Sequence, residues 1–215
     1  MKKLLDRLKG HPPRPPGGDS RSPDDSGFFS TMFLERSEEL ERHISWAARA
    51  AQLGAKPADR TAGAQLLAQL WGQDRHAAAL GSHGLLRIAE FMHFVQLPAN
   101  AEVISQDEHG DYLLILLEGL VAVDRVQPWG GRARLAEARP GEMLGEMSLL
   151  DAGTRFSACT TLAPCVLAVL DAASLDRLVQ QQPRLALALV TSLARRLSLR
   201  LRQVSARLSA LLSHD

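Results

Sequence analysis

The sequence has no apolar stretch near the roughly 20 residues that a membrane-spanning helix needs. Cysteine is scarce. Cys159 and Cys165 are the only two, and they sit close together in a segment that reads as strand. They could pair only across a turn, so buried free thiols are expected instead. His76, His83 and His93 are scattered, and no His/Cys cluster has metal-ligand spacing. No metal and no resident cofactor are therefore expected. No nucleophile-elbow sequence surrounds a serine, and no Walker-type loop is present; Trp129-Gly-Gly131 reads as a hairpin turn. These absences exclude the common enzyme classes. The start, Met1-Lys-Lys-Leu-Leu, has the charge of a secretory n-region, but prolines follow where its apolar core should be. A cytoplasmic location is the expectation.

What is present is a 215-residue chain with 46% apolar residues and a net charge of +1. That composition fits a globular protein of one or two domains. The charge is unevenly spread: residues 91–172 carry 5 Lys+Arg against 11 Asp+Glu, and residues 173–215 carry 7 against 2. Residues 1–27 are rich in Pro, Gly, Ser and Asp from position 10 onward and cannot bury enough apolar surface to offset chain entropy, so they are expected to be a disordered tail. Residues 28–84 read as a helical extension, with helices expected over 28–54 and 58–80 and a third over 84–94. Glu35, Glu38, Glu39 and Glu41 form an acidic helix face that reads as solvated.

From about residue 93 the pattern becomes short apolar runs separated by turn residues: 94–97, 102–105, 112–117, 120–126, 133–138, 158–161 and 165–170. Such spacing predicts an antiparallel barrel or jelly roll over 85–172. Helical periodicity returns over 173–215, as a short helix from Asp176 to Gln182 and a long one from Arg184 to about Ser213. Between two of the expected strands lies Gly145-Glu-Met-Ser-Leu-Leu-Asp-Ala-Gly-Thr-Arg-Phe-Ser-Ala158. A tight turn leads to a carboxylate that can accept from sugar hydroxyls. Nine residues later comes an arginine that can pair with a phosphate. The pair suits a small anionic nucleotide.

Residues 85–212 resemble the cyclic-nucleotide-binding domain, found in bacterial catabolite-activator regulators, cyclic-nucleotide-regulated kinase subunits and ion channels. The matching pieces are Leu97-Pro-Ala-Asn-Ala-Glu-Val-Ile104, Gly110-Asp-Tyr-Leu-Leu-Ile-Leu-Leu-Glu-Gly119, Pro140-Gly-Glu-Met-Leu-Gly-Glu-Met-Ser-Leu-Leu150, Arg155 and Ala163-Pro-Cys-Val-Leu167. The resemblance implies an α+β fold, an antiparallel β-barrel or jelly roll flanked by N-terminal helices and a long C-terminal helix. It implies a cyclic nucleotide ligand, cAMP or cGMP, with cAMP first. Glu146 would accept from the ribose 2′-hydroxyl and Arg155 would pair with the cyclic phosphate. Backbone N–H groups of Gly145, Glu146 and Met147 would face the anion, and Ser148 would line the pocket.

The sequence departs from the family where a small residue usually follows the arginine: Phe156 does so here, then Ser157 and Ala158. In one reading Phe156 keeps its backbone N–H toward the phosphate while its ring turns away. In another the register slips, Phe156 replaces the arginine and Ser157 supplies the hydroxyl. The pocket could also be degenerate, a ligand-independent interaction scaffold, or be adapted to cyclic di-GMP. Cys165 stands ten residues after Arg155 as in the family, which favours the unslipped register.

In the long helix, Val190, Leu193, Leu197, Leu201, Val204, Leu208 and Leu211 follow near-heptad steps, which predicts a homodimer. Base-selecting contacts are expected from Thr191, Ser192, Arg195, Arg196 or Ser198. Arg195, Arg196, Arg200, Arg202 and Arg207 form a basic stripe. No segment after Asp215 enters a major groove, so sequence-specific DNA binding is not expected, and the output is assigned to an unknown protein effector.

Overall fold

In the computed structural model the structure describes residues 27–37, 43–74, 77 and 80–212. The tail expected over 1–27 lies, apart from Gly27, outside them, as do the side chains of the expected acidic face and His76.

The chain runs α1 (Phe28–Ser37), α2 (Trp46–Leu53), β1 (Lys56–Pro57), α3 (Arg60–Gly72) and α4 (Gly81–Ala89), then β2 (His93–Leu97), β3 (Glu102–Ile104), β4 (Tyr112–Glu118), β5 (Val121–Val126), β6 (Arg132–Ala138) and β7 (Met143–Leu144). After α5 (Glu146–Asp151) come β8 (Ala158–Thr161), β9 (Cys165–Asp171), α6 (Ala172–Gln181) and α7 (Pro183–Leu212). Two antiparallel sheets form, ordered β1-β2-β9-β4-β7 and β3-β8-β5-β6. This is the jelly-roll form of the expected fold; the strands make two sheets, with no closed barrel.

Strand β4 shows why the sheets stack as they do. Its side chains alternate between faces, yet residues 112–117 are all buried. Tyr112, Leu114 and Leu116 join the core between the sheets with Val103, Val121, Leu167 and Val169. Leu113, Ile115 and Leu117 join a second core with Leu67 and Trp71 of α3, Leu85 and Ile88 of α4, and Leu175 and Leu178 of α6. Helices cover the outer face, so no polar alternation is needed.

Four expected helices differ from the structure; the short one expected from Asp176 to Gln182 runs from Ala172 to Gln181, because Asp171 caps it by accepting from Ser174 N at 2.7 Å. The helix expected over 28–54 is two helices. Ile44 donates its N–H to His109 O at 2.8 Å, and Ser45 then caps α2 by accepting from Ala48 N at 3.3 Å, so a continuous helix is interrupted there. The helix expected over 58–80 is shorter: α3 starts after the N-cap Asp59, which accepts from Ala62 N at 2.7 Å, and stops at Gly72. The third starts at Gly81 and ends at Ala89, because residues 93–97 are drawn into pairing with β9. Short strands β1 and β7 were not anticipated; two residues carry too little periodicity to read.

Helix α1 docks by burying Phe29 and Phe33 in the helix-covered core and by hydrogen bonds to one carboxylate. Asp176 of α6 accepts from Phe29 N at 2.9 Å, Ser30 N at 2.7 Å and Ser30 Oγ at 2.6 Å.

Candidate functional site

The site begins where β7 ends. Gly145 has φ 76°, a left-handed conformation that glycine adopts without strain, and it turns the chain into α5. Glu146, Met147 and Ser148 follow as the first residues of that short helix. Glu146 and Ser148 are buried, whereas Met147 is exposed. After α5 the chain pairs with the loop before β4: Arg155 N donates to Glu108 O at 2.8 Å, and Asp107 N to Arg155 O at 2.9 Å.

This pairing aims Arg155 into the protein, with 1% of its surface exposed. Its Nη1 donates to Gly145 O at 2.7 Å and its Nη2 to Tyr112 O at 2.7 Å, while the guanidinium carbon lies 4.5 Å from the centre of the Tyr112 ring. Nε has no partner. No carboxylate lies within ion-pair distance of this guanidinium among the described residues. Burial pushes its pKa below the usual arginine value, and nearby Tyr112 and Glu108 oppose that shift. Two glycines make room for it: a Cβ at Gly145 would strike Nη1, and one at Gly110 would lie 2.6 Å from Nη2.

Phe156 points the other way. It is 56% exposed, and its ring lies under Arg125, whose guanidinium carbon is 4.1 Å from the ring centre. Arg125 Nη1 also donates to Phe156 O. The ring therefore does not fill the space between the sheets, and the inward position belongs to Arg155. Ser157 is half-buried and Ala158 is buried.

The long helix supplies what sequence reasoning missed. Arg200 Nη1 donates to Glu146 Oε1 at 2.6 Å, joining α7 to the first residue of α5. One helical turn earlier, Arg196 lies over Trp71 at 4.9 Å and pairs with Asp74 at 3.0 Å. Trp71 Nε1 and Arg196 Nη1 both donate to Gly141 O, at 3.1 and 3.4 Å. Of the helix residues expected to reach the site, Thr191 is half-buried, Ser192 is buried, and Arg195 and Ser198 are exposed. Arg200 stood in the sequence only as part of a basic stripe. Its spacing of four from Arg196 was the available signal that the two share a face.

Burial of a guanidinium, a carboxylate and a hydroxyl around one helix start makes a polar recess. Buried charge of this kind is costly unless partnered. Arginine offers five N–H donors, and two carbonyl bonds leave the Nε–H and one hydrogen on each Nη for an anion.

Residues 94–182 match the cyclic nucleotide-binding domain family. A CRP-like cAMP-activated global transcriptional regulator of Mycobacterium tuberculosis is 33% identical over 103 residues, covering 48% of this chain and 46% of the regulator. The chain thus spans about half the length of that relative. The crystal structure of the N-terminal domain of a transcriptional regulator from Streptomyces coelicolor is 30% identical with a TM-score of 0.55, covering 60% of this chain and 92% of that one. A cyclic nucleotide-binding domain from Methylobacillus flagellatus shares the fold at 23% identity and a TM-score of 0.64, over 71% of this chain and 85% of that one.

Proposed function

This chain belongs to the cyclic nucleotide-binding domain family through residues 94–182, and from that premise we propose that it is a cytoplasmic, non-enzymatic receptor for a cyclic nucleotide, cAMP in the first place. The observation that carries the reading is the buried guanidinium of Arg155, which has free N–H donors and no carboxylate within ion-pair distance among the described residues. A cyclic phosphate would supply the missing anion through charge-assisted bonds. Glu146 would accept the ribose 2′-hydroxyl on Oε2, since Oε1 is engaged by Arg200. Gly145 and Ser148 would complete the recess, with exposed Met147 at its edge.

On this reading the ligand and α7 meet on one carboxylate. A nucleotide that repositions Glu146 pulls on Arg200 and hence on the long helix. It shifts the helix only as far as its affinity differs between the two arrangements, and the helix state feeds back equally on affinity. The signal would pass to a protein effector. A homodimer through α7 is part of the reading, because Leu201, Val204, Leu208 and Leu211 are exposed along one seam. No helix among the described residues is long and apolar enough to cross a membrane.

A second reading is a ligand-independent scaffold, favoured by the two carbonyl bonds that already hold Arg155 without any anion. Calorimetric titration with cAMP, cGMP and cyclic di-GMP separates the two. Binding of cAMP is expected, and Arg155→Gln should weaken it by about 2–5 kcal/mol, or roughly thirtyfold to several thousandfold. Absence of heat at high micromolar nucleotide, with folded protein, would leave the scaffold.

A further inference from the structure

Apart from the Glu146–Arg155 recess, a groove of about 470 Å³ runs between α4 and the joint of α6 with α7. The two sites share no residue. Leu80, Leu185 and Ala188 give the groove an apolar floor, and His83, Arg87 and Arg184 stand along it; no carboxylate lines it. Arg87 and Arg184 have no ion-pair partner among the described residues. The helices on both sides also start without acid: neither α4 nor α7 has one in its first turn. Gly84 lets the walls approach, since a Cβ there would lie 3.1 Å from Leu185 Cδ1.

We infer that this groove docks an acidic peptide segment of a partner protein, with apolar side chains on the leucine floor and carboxylates facing Arg87 and Arg184. Charge complementarity selects the occupant: all the ionisable side chains that line the groove are basic. A lone small anion fits less well, because it needs donors converging on one desolvated point, and Arg184 is exposed. The apolar floor would then have no use. The inference does not require nucleotide binding. If the receptor reading holds, the groove lies at the joint through which α7 moves, and the docked segment would sense that movement.

The test is a titration of the isotope-labelled full chain with the peptide acetyl-Asp-Glu-Leu-Glu-Asp-Leu-amide, followed by amide NMR shifts. Shifts are expected at residues 80–88 and 182–188, shrinking at high salt. Arg87→Gln with Arg184→Gln should weaken the peptide about tenfold, as loss of one half-buried and one exposed pair implies. If the double variant does not fold, Arg184→Gln alone, at an exposed position, should weaken it about threefold. Three results overturn the inference: no shift at millimolar peptide, shifts confined to the arginines at 195–207, or the same groove shifts produced by inorganic phosphate. The last would make it a small-anion site. Failure here leaves the cAMP titration unaffected, so the two readings fall separately.

Discussion

Arg155 is held by geometry more than by charge. Backbone carbonyls at Gly145 and Tyr112 and the Tyr112 ring fix it, and two glycines make space for it. The same interior sets the chemistry of Cys159, whose thiol burial pushes up to about 12. The neutral thiol persists in the folded protein while an unfolded chain begins to ionise near pH 9. Above that point the unfolded state binds fewer protons than the native one, so stability falls as pH rises. Over three pH units the full difference is about 4 kcal/mol by linkage. Cys159→Ala should therefore flatten the alkaline loss of stability between pH 9 and 12, measured by urea unfolding across that range. Wild-type Cys159 should also resist a disulfide reagent at pH 8 until denaturant is added. At this scale the sequence was readable wherever partners are neighbours in the chain, as in residues 145–158. Arg200 and Gly110 were not, because each meets the site through tertiary contact: one is 54 positions from Glu146, and the other lies in a loop packed against Arg155.

Among the elements, the strands were legible and the helix limits less so. Seven apolar runs were expected as strands, and each overlaps a strand of the structure to within a residue or so at either end, because Gly and Pro turns separate them clearly. The break between α1 and α2 was hidden. Ser45 is an ordinary residue until the N–H of Ile44 finds His109 O, a long-range pairing that no local pattern encodes. The docking of α1 on α6 was equally invisible, since it rests on Asp176 accepting three bonds from residues about 146 positions away. Asp176 is buried, so its removal leaves two backbone N–H groups without a partner. Asp176→Ala should cost about 1–3 kcal/mol. Hydrogen exchange at the amides of Phe29 and Ser30 should speed up while that of β4 stays slow. Retained protection at those two amides would show that the carboxylate does not hold α1.

For the molecule as a whole, α7 divides into two parts. Up to Leu197 the seam side chains rest against the body, with Leu193 buried and Val190 and Leu197 half-buried; from Leu201 onward they are exposed. Leu201, Val204, Leu208 and Leu211, at 54–74% exposure, form a seam of the sort that pairs with a second copy. Sedimentation should show a dimer, and Val204→Glu with Leu208→Glu should give a monomer with unchanged circular dichroism. A monomeric wild type at high micromolar concentration would reject the seam. The periodic leucines were plain in the sequence. Where the helix leaves the body was not, because that depends on how far α3 and α5 reach along it.

On the receptor reading, the two arginines that help to hold α7 would make it a lever with its fulcrum at the recess. Twelve residues extend beyond Arg200 to the last described turn, and at 1.5 Å per residue the free arm is ~18 Å long. A tilt of ~10° at the Glu146 contact would swing its tip by ~3 Å. A sub-ångström adjustment around one carboxylate would thus become a displacement that another protein can feel.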